Sequence, residues 1–189
     1  MSGVVFGVTL VVPPCCSQSA RRHGDCRRRH APHRTAARPA GDAVVVKIVD
    51  GDTLDIRLSG KTVRVRLLGI DTPETVDENR PVQCYGHEAS AYLSQLLPKG
   101  SVVRLERDIE ARDRFDRLLV YLYRVDDGLF VNAALLEGGF ATTLSIAPNT
   151  MRAHDFEVIR LQSQREKRGL WGACTAFGSP INPTPTTRG

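Results

Sequence analysis

From residue 43 onward the hydrophobic and polar positions fall into regular patterns. "AVVVKIV" (43–49) reads as a strand, "DGD" (50–52) as a hairpin-type turn and "TLDIRL" (53–58) as a second strand. After the turn "SGK", the run "TVRVRLLGI" (62–70) sets Val63, Val65 and Leu67 against Arg64, Arg66 and Leu68, the alternation of a third strand. These three strands form a meander. "TPETVDENRPVQC" (72–84) is a polar loop without periodicity. "YGHEASAYLSQLLPKG" (85–100) places Ala89, Tyr92, Leu93 and Leu96 on one helical face before a Pro-Lys-Gly stop. "SVVRLE" (101–106) predicts a fourth strand, "RDIEARDRFDR" (107–117) a charged connection and "LLVYLYRV" (118–125) a fifth strand. "DDG" turns the chain into "LFV", and "NAALLEGG" (132–139) is a short helix ended by glycines. A longer helix starts near an Asn or Thr cap at 149–150 and stops before Gly169. Five strands with a helix between the third and fourth predict an α+β, mainly β, five-stranded OB-fold barrel with three helices. A sandwich would need more strands and a βαβ sheet more helices.

A chain of 189 residues, 41% hydrophobic and 25% charged, suits one soluble domain with a full core. The net charge of +5 hints at nucleic acid, but its distribution removes that hint. Residues 1–41 carry seven Arg against one Asp, whereas 42–189 carry 19 basic against 20 acidic residues. Basicity belongs to the leader, so a nucleic-acid substrate must be argued from local geometry. The expected organisation is a non-globular leader over 1–41, a domain over 42–174 and a disordered tail over 175–189.

Within the leader, the apolar run "VVFGVTLVV" (4–12) is too short to span a bilayer. Small residues follow it, with Ser17 and Ser19 placed for cleavage, which favours an export signal and a secreted or cell-envelope protein. No Lys or Arg precedes the run, so a misplaced start or a cytoplasmic protein with an untargeted tail stays open. Cys15, Cys16 and Cys26 lie in the leader, Cys84 and Cys174 in the domain, none at zinc-ligand spacing. A Cys84–Cys174 bridge in an exported protein and two separate thiols are both compatible with the sequence.

Each acidic cluster has an ordinary explanation by itself. Asp50 and Asp52 suit a turn, Asp71 and Glu74 a helix cap, and Arg66 a solvated strand position. Together they suggest more, because the ends of the first and third strands of a meander lie on one side of the sheet. Converging carboxylates repel unless a cation lies between them. Their hard oxygens suit Ca²⁺ or Mg²⁺, with water and substrate completing an open shell. Arg66 then lies where a phosphate would bind, and Glu74 where it would take a proton from water. "RDRFDRLLVYLY" (112–123) brings Arg117 to the start of the fifth strand, a second clamp for phosphate.

"DGDT", "RLLGIDTPET", "YGHEAS", "DRFDRLLVYLY" and "GLW", in this order and spacing, resemble the staphylococcal nuclease family over about residues 43–173. The resemblance implies an OB barrel with three helices and calcium-dependent hydrolysis of DNA and RNA to 3′-phosphate ends. It implies Ca²⁺ ligation by Asp52, Asp71 and the Thr72 carbonyl, Glu74 as general base, and Arg66 and Arg117 on the phosphate. Arg114 keeps positive charge where relatives often carry Lys, and is expected beside the substrate phosphate. DNA and RNA are the expected partners, with no membrane span and a monomeric protein.

Two departures from the family pattern stand out. Phe115-Asp116 replaces a common Tyr-Gly pair: a hydroxyl is lost, Asp116 is strained if its φ is positive, and its carboxylate competes with phosphate for Arg117. "TTLSIAPNT" (142–150) has no aromatic residue, where the nuclease that names the family has base-flanking tyrosines. Weaker stacking, about 1–3 kcal/mol per base, is therefore expected. The alternative function is a non-catalytic OB-fold module that binds nucleic acid or peptide; such modules typically lose an acidic ligand or an Arg, and this chain keeps them.

Overall fold

The computed structural model describes residues 39–75 and 82–180. β1 (Pro39–Ile48), β2 (Thr53–Leu58), β3 (Lys61–Leu67), β5 (Val102–Glu106) and β6 (Leu118–Arg124) close a barrel in the order β1-β2-β3-β6-β5. All its ladders are antiparallel except β3–β6, which runs parallel with Val65 beside Leu118 and Arg66 beside Leu119. The period-two pattern is what fills the barrel. Val65 and Leu67 of β3 point inward with Leu54 and Ile56 of β2, Val103 and Leu105 of β5, and Val120 and Leu122 of β6. Arg64 and Arg66 alternate to the other face.

The run expected as one strand through Ile70 is broken. β4 (Gly69–Asp71) leaves the barrel to pair antiparallel with β7 (Thr142–Leu144), Asp71 opposite Thr142. Gly69 makes the break: its φ is +76°, and a Cβ there would meet the Phe156 ring at 2.6 Å. β7 lay unrecognised in a segment read for its missing aromatics. Asn132, fully buried on α2 (Val131–Glu137), satisfies the backbone at this exit. It donates to Leu68 O at 2.9 Å and accepts from Leu122 N at 2.9 Å.

α1 (Gly86–Leu96) covers one barrel end with Leu93, next to buried Leu97, and α3 (Ala153–Arg165) inserts Phe156. The single turn α4 (Leu170–Ala173) follows the expected stop before Gly169. It carries the chain to Cys174, which is bridged to Cys84. A link across 90 residues stabilises the fold by about 4–5 kcal/mol in the chain-entropy model. Beyond Cys174 the chain is still built into the fold. Cys84 N donates to Ser179 O at 2.7 Å, and Gln83 and Pro180 form an isolated bridge. The disorder expected from 175 therefore does not begin there; residues 181–189 lie outside those described, as does nearly all of the 1–41 leader. Among the described residues no helix is long and apolar enough to cross a membrane.

Candidate active site

The β1–β2 turn and the β4 exit meet because small residues let them. A Cβ on Gly51 would lie 2.7 Å from Thr72 Oγ1 and 2.9 Å from Ala89 Cβ, so glycine permits the approach. Asp50 is a structural acceptor, receiving Gly51 N at 2.7 Å and Thr75 Oγ1 at 2.8 Å. Asp52, with only 8% of its side chain exposed, turns inward. Its Oδ2 accepts from Thr72 N and Thr72 Oγ1, both at 3.1 Å, and its Oδ1 from Thr53 Oγ1 at 3.0 Å.

Arg66 joins the two acidic turns. Its Nη2 lies 3.0 Å from Asp52 Oδ2 and 2.9 Å from Asp71 Oδ1, while Nη1 donates to Leu67 O at 2.6 Å and Ile70 O at 2.8 Å. The side chain is 13% exposed, which rules out a solvated strand charge. Burial is the main influence pushing the Asp71 carboxyl above its ordinary range. The Asp52 and Asp50 charges add to it, and Arg66 opposes them. Glu74 is half-buried just beyond, its backbone gripped on both sides by Gln83: Glu74 N donates to Gln83 Oε1 at 2.9 Å, and Gln83 N to Glu74 O at 3.0 Å.

The second arginine is set by its own loop. Asp113 accepts Arg117 Nε on Oδ2 at 2.7 Å, and on Oδ1 both Arg117 N at 3.0 Å and Phe115 N at 2.9 Å. Burial alone would raise the Asp113 pKa, but these hydrogen bonds outweigh it and hold the carboxyl below its usual value. Phe115 projects into solvent under two guanidinium groups, Arg114 at 4.7 Å and Arg117 at 5.4 Å from its ring. Asp116 adopts φ 63°, so the left-handed conformation in question is indeed present. The suspected competition is not: the Asp116 carboxylate pairs with Arg112 at 3.2 Å, and Asp113 is the acid on Arg117.

The staphylococcal nuclease homologue family model matches residues 64–173. The thermonuclease of Staphylococcus hyicus is 36% identical over 127 residues, 67% of this chain and 73% of that protein. That of Staphylococcus intermedius is 37% identical over 132 residues, 69% of this chain and 77% of its own. Endonuclease YncB of Bacillus subtilis (strain 168) is 34% identical over 142 residues, covering 74% and 66%. This chain belongs to the staphylococcal nuclease family.

In this staphylococcal nuclease homologue Asp52, Arg66, Asp71 and Thr72 form one contact cluster. Glu74 follows two residues on. Arg117 lies just before β6, two residues ahead of Leu119, which the parallel ladder sets beside Arg66. Arg114 stacks on Phe115 at the outer edge of that loop. The Asp52 and Asp71 carboxylates are hard-oxygen donors, and a cationic group, Arg66 Nη2, already lies between them. That arrangement suits a divalent cation in an open site. Among the described residues no three His, Cys, Asp or Glu side chains gather into a cage. Gln83 and Asp113 were missed by sequence reasoning. Asp113 had a signal, an Asx-type acceptor four residues before Arg117; Gln83 had none, because its partner is main chain.

Proposed function

We propose that this nuclease hydrolyses DNA and RNA phosphodiester bonds with Ca²⁺ as cofactor, leaving 3′-phosphate and 5′-hydroxyl ends. The observation that carries this reading is Arg66 Nη2, shared between Asp52 and Asp71 at the mouth of two converging turns. Asp52, Asp71 and the Thr72 carbonyl would hold the cation, which supplies positive charge to a phosphate oxygen when bound. Arg66 Nη2, at the edge of those carboxylates, would donate to the same phosphate. Glu74 accepts the proton of the attacking water as the water oxygen bonds to phosphorus, the P–O5′ bond breaks, and the departing 5′-oxygen takes a proton from solvent to become the hydroxyl. Arg117, its Nε held by Asp113, directs its terminal nitrogens to the same phosphate and stabilises the charge that develops on it. Arg114 adds a second cation at the outer edge. The Cys84–Cys174 bridge and the apolar 4–12 run support an exported enzyme.

The test is hydrolysis of single-stranded DNA by the full chain with Ca²⁺ or with EDTA, beside Glu74→Ala. Calcium-dependent cleavage that falls by about 10²–10⁴-fold in the variant is expected. Folded protein that binds DNA without cutting it supports the binding module instead.

A further inference from the structure

Glu74 is fixed through its main chain by a residue that is itself fixed from the far end of the domain. Gln83 uses both its amide side chain and its backbone N–H on Glu74. On its other side Gln83 forms the isolated bridge with Pro180, and Gly178 lies against its side chain: a Cβ there would stand 3.7 Å from Gln83 Nε2. The next residue, Cys84, is held twice, by the disulfide to Cys174 and by its N–H to Ser179 O. Gln83 O accepts from Gly86 N at 3.0 Å, which ties the same point to the start of α1. At that start a Cβ on Gly86 would meet Thr75 Cγ2 at 2.7 Å and Glu74 O at 3.0 Å. The segment 174–180, Gln83 and Glu74 are thus three layers in contact.

We propose that Gln83 is a positioning residue for Glu74, and that the Cys84–Cys174 bridge contributes to turnover by holding Gln83 in place. This rests on the role given to Glu74 above. The bridge then serves the reaction as well as the fold, and the C-terminal segment through Pro180 is part of the catalytic support. A carboxylate that must meet one proton of one water is sensitive to displacement of its backbone, so the effect falls on kcat and spares substrate binding.

The experiment measures kcat and KM for single-stranded DNA, with single-turnover rates for slow variants, in the full chain. The variants are Gln83→Leu, Cys84→Ser/Cys174→Ser and Glu74→Ala, alone and with Gln83→Leu added to Glu74→Ala; circular dichroism melts verify folding. Gln83→Leu is expected to lower kcat by about 10–100-fold with KM within about twofold, and to add nothing in the Glu74→Ala background. The double Ser variant is expected to lower kcat in the same direction, and if it does not fold, the parent reduced with dithiothreitol and still folded replaces it; parental kcat in either overturns the part given to the bridge. Parental kcat in Gln83→Leu while Glu74→Ala is inactive overturns the inference alone, as does an equal further loss in the combined variant. Parental kcat in Glu74→Ala removes the role of Glu74 and this inference with it.

Discussion

Asp113 holds Arg117 by two atoms at once, the side-chain Nε at 2.7 Å and the backbone N at 3.0 Å. The guanidinium is thereby fixed at its inner nitrogen, with its outer edge left for an oxyanion. Truncating the acid should resemble truncating the base it holds. Asp113→Ala is expected to lose at least about tenfold in kcat/KM, and a cycle with Arg117→Ala to be strongly non-additive. Additive losses would mean that Asp113 acts on something other than Arg117.

The same contact predicts a pH signature. The Asp113 carboxyl is held below its unfolded value, so its contribution to stability is full above about pH 4 and lost as pH falls through the lowered folded value. Asp55, lowered mainly by its hydrogen bond from Arg64, follows the same sign. Urea unfolding of the parent and Asp113→Asn should show a stability gap at pH 7 that narrows by pH 3. A gap unchanged across that range would contradict the assignment.

Asp116 occupies a left-handed conformation where glycine carries no steric cost. Its exposed ion pair with Arg112 is worth little, and Arg112 keeps its 2.6 Å bond to the Asp116 carbonyl whatever the side chain. Asp116→Gly should therefore leave stability unchanged or raise it by up to about 1 kcal/mol, read from denaturant midpoints. A clear loss would show that the carboxylate orders the loop.

Arg66 and Arg117 are both assigned to phosphate, yet their removal should differ in thermal melts. Arg66→Ala leaves the Asp52 carboxylate nearly buried without its cation, a loss on the order of 3 kcal/mol without added metal. Ca²⁺ should recover part of it by binding the same carboxylates, and Asp52→Ala should abolish any calcium-induced rise in Tm. Arg117→Ala gives up only the Nε bond to Asp113, whose two main-chain bonds stay, so its loss should be smaller, about 1 kcal/mol. Equal destabilisation of the two variants would argue against the special environment of Arg66.

The β7 region presents Leu144 and Ile146, the latter 64% exposed, in the stretch that lacks the base-flanking tyrosines of the nuclease that names the family. An aromatic ring added there should gain stacking. Ile146→Tyr is expected to lower KM for single-stranded DNA, by a margin equivalent to about 1–3 kcal/mol at most, with kcat unchanged. An unaltered KM would place the bases elsewhere, with exposed Phe115 the next candidate.

The barrel was legible because its inward positions recur every second residue, and Val65, Leu67, Val120 and Leu122 are buried as that period requires. The convergence of the acidic turns followed from meander geometry. Period alone could not show that the third strand stops at Leu67, since Leu68 and Ile70 continue the apolar run. A positive φ at Gly69 and the Phe156 ring, from a helix 87 residues downstream, impose the break. The partners of Arg117 were misassigned for a related reason: Asp116 is nearer in sequence, but the turn points it at Arg112. The use of Gln83 on a main-chain amide leaves no trace in residue type.

The parallel β3–β6 ladder that closes the barrel sets Arg66 beside Leu119, two residues from Arg117. Fifty-one residues separate the two arginines along the chain. In the unfolded polypeptide the two cations are unrelated points on a long tether, unable to hold one phosphate between them. Closure of the barrel is therefore what brings these two distant stretches of sequence to one ladder.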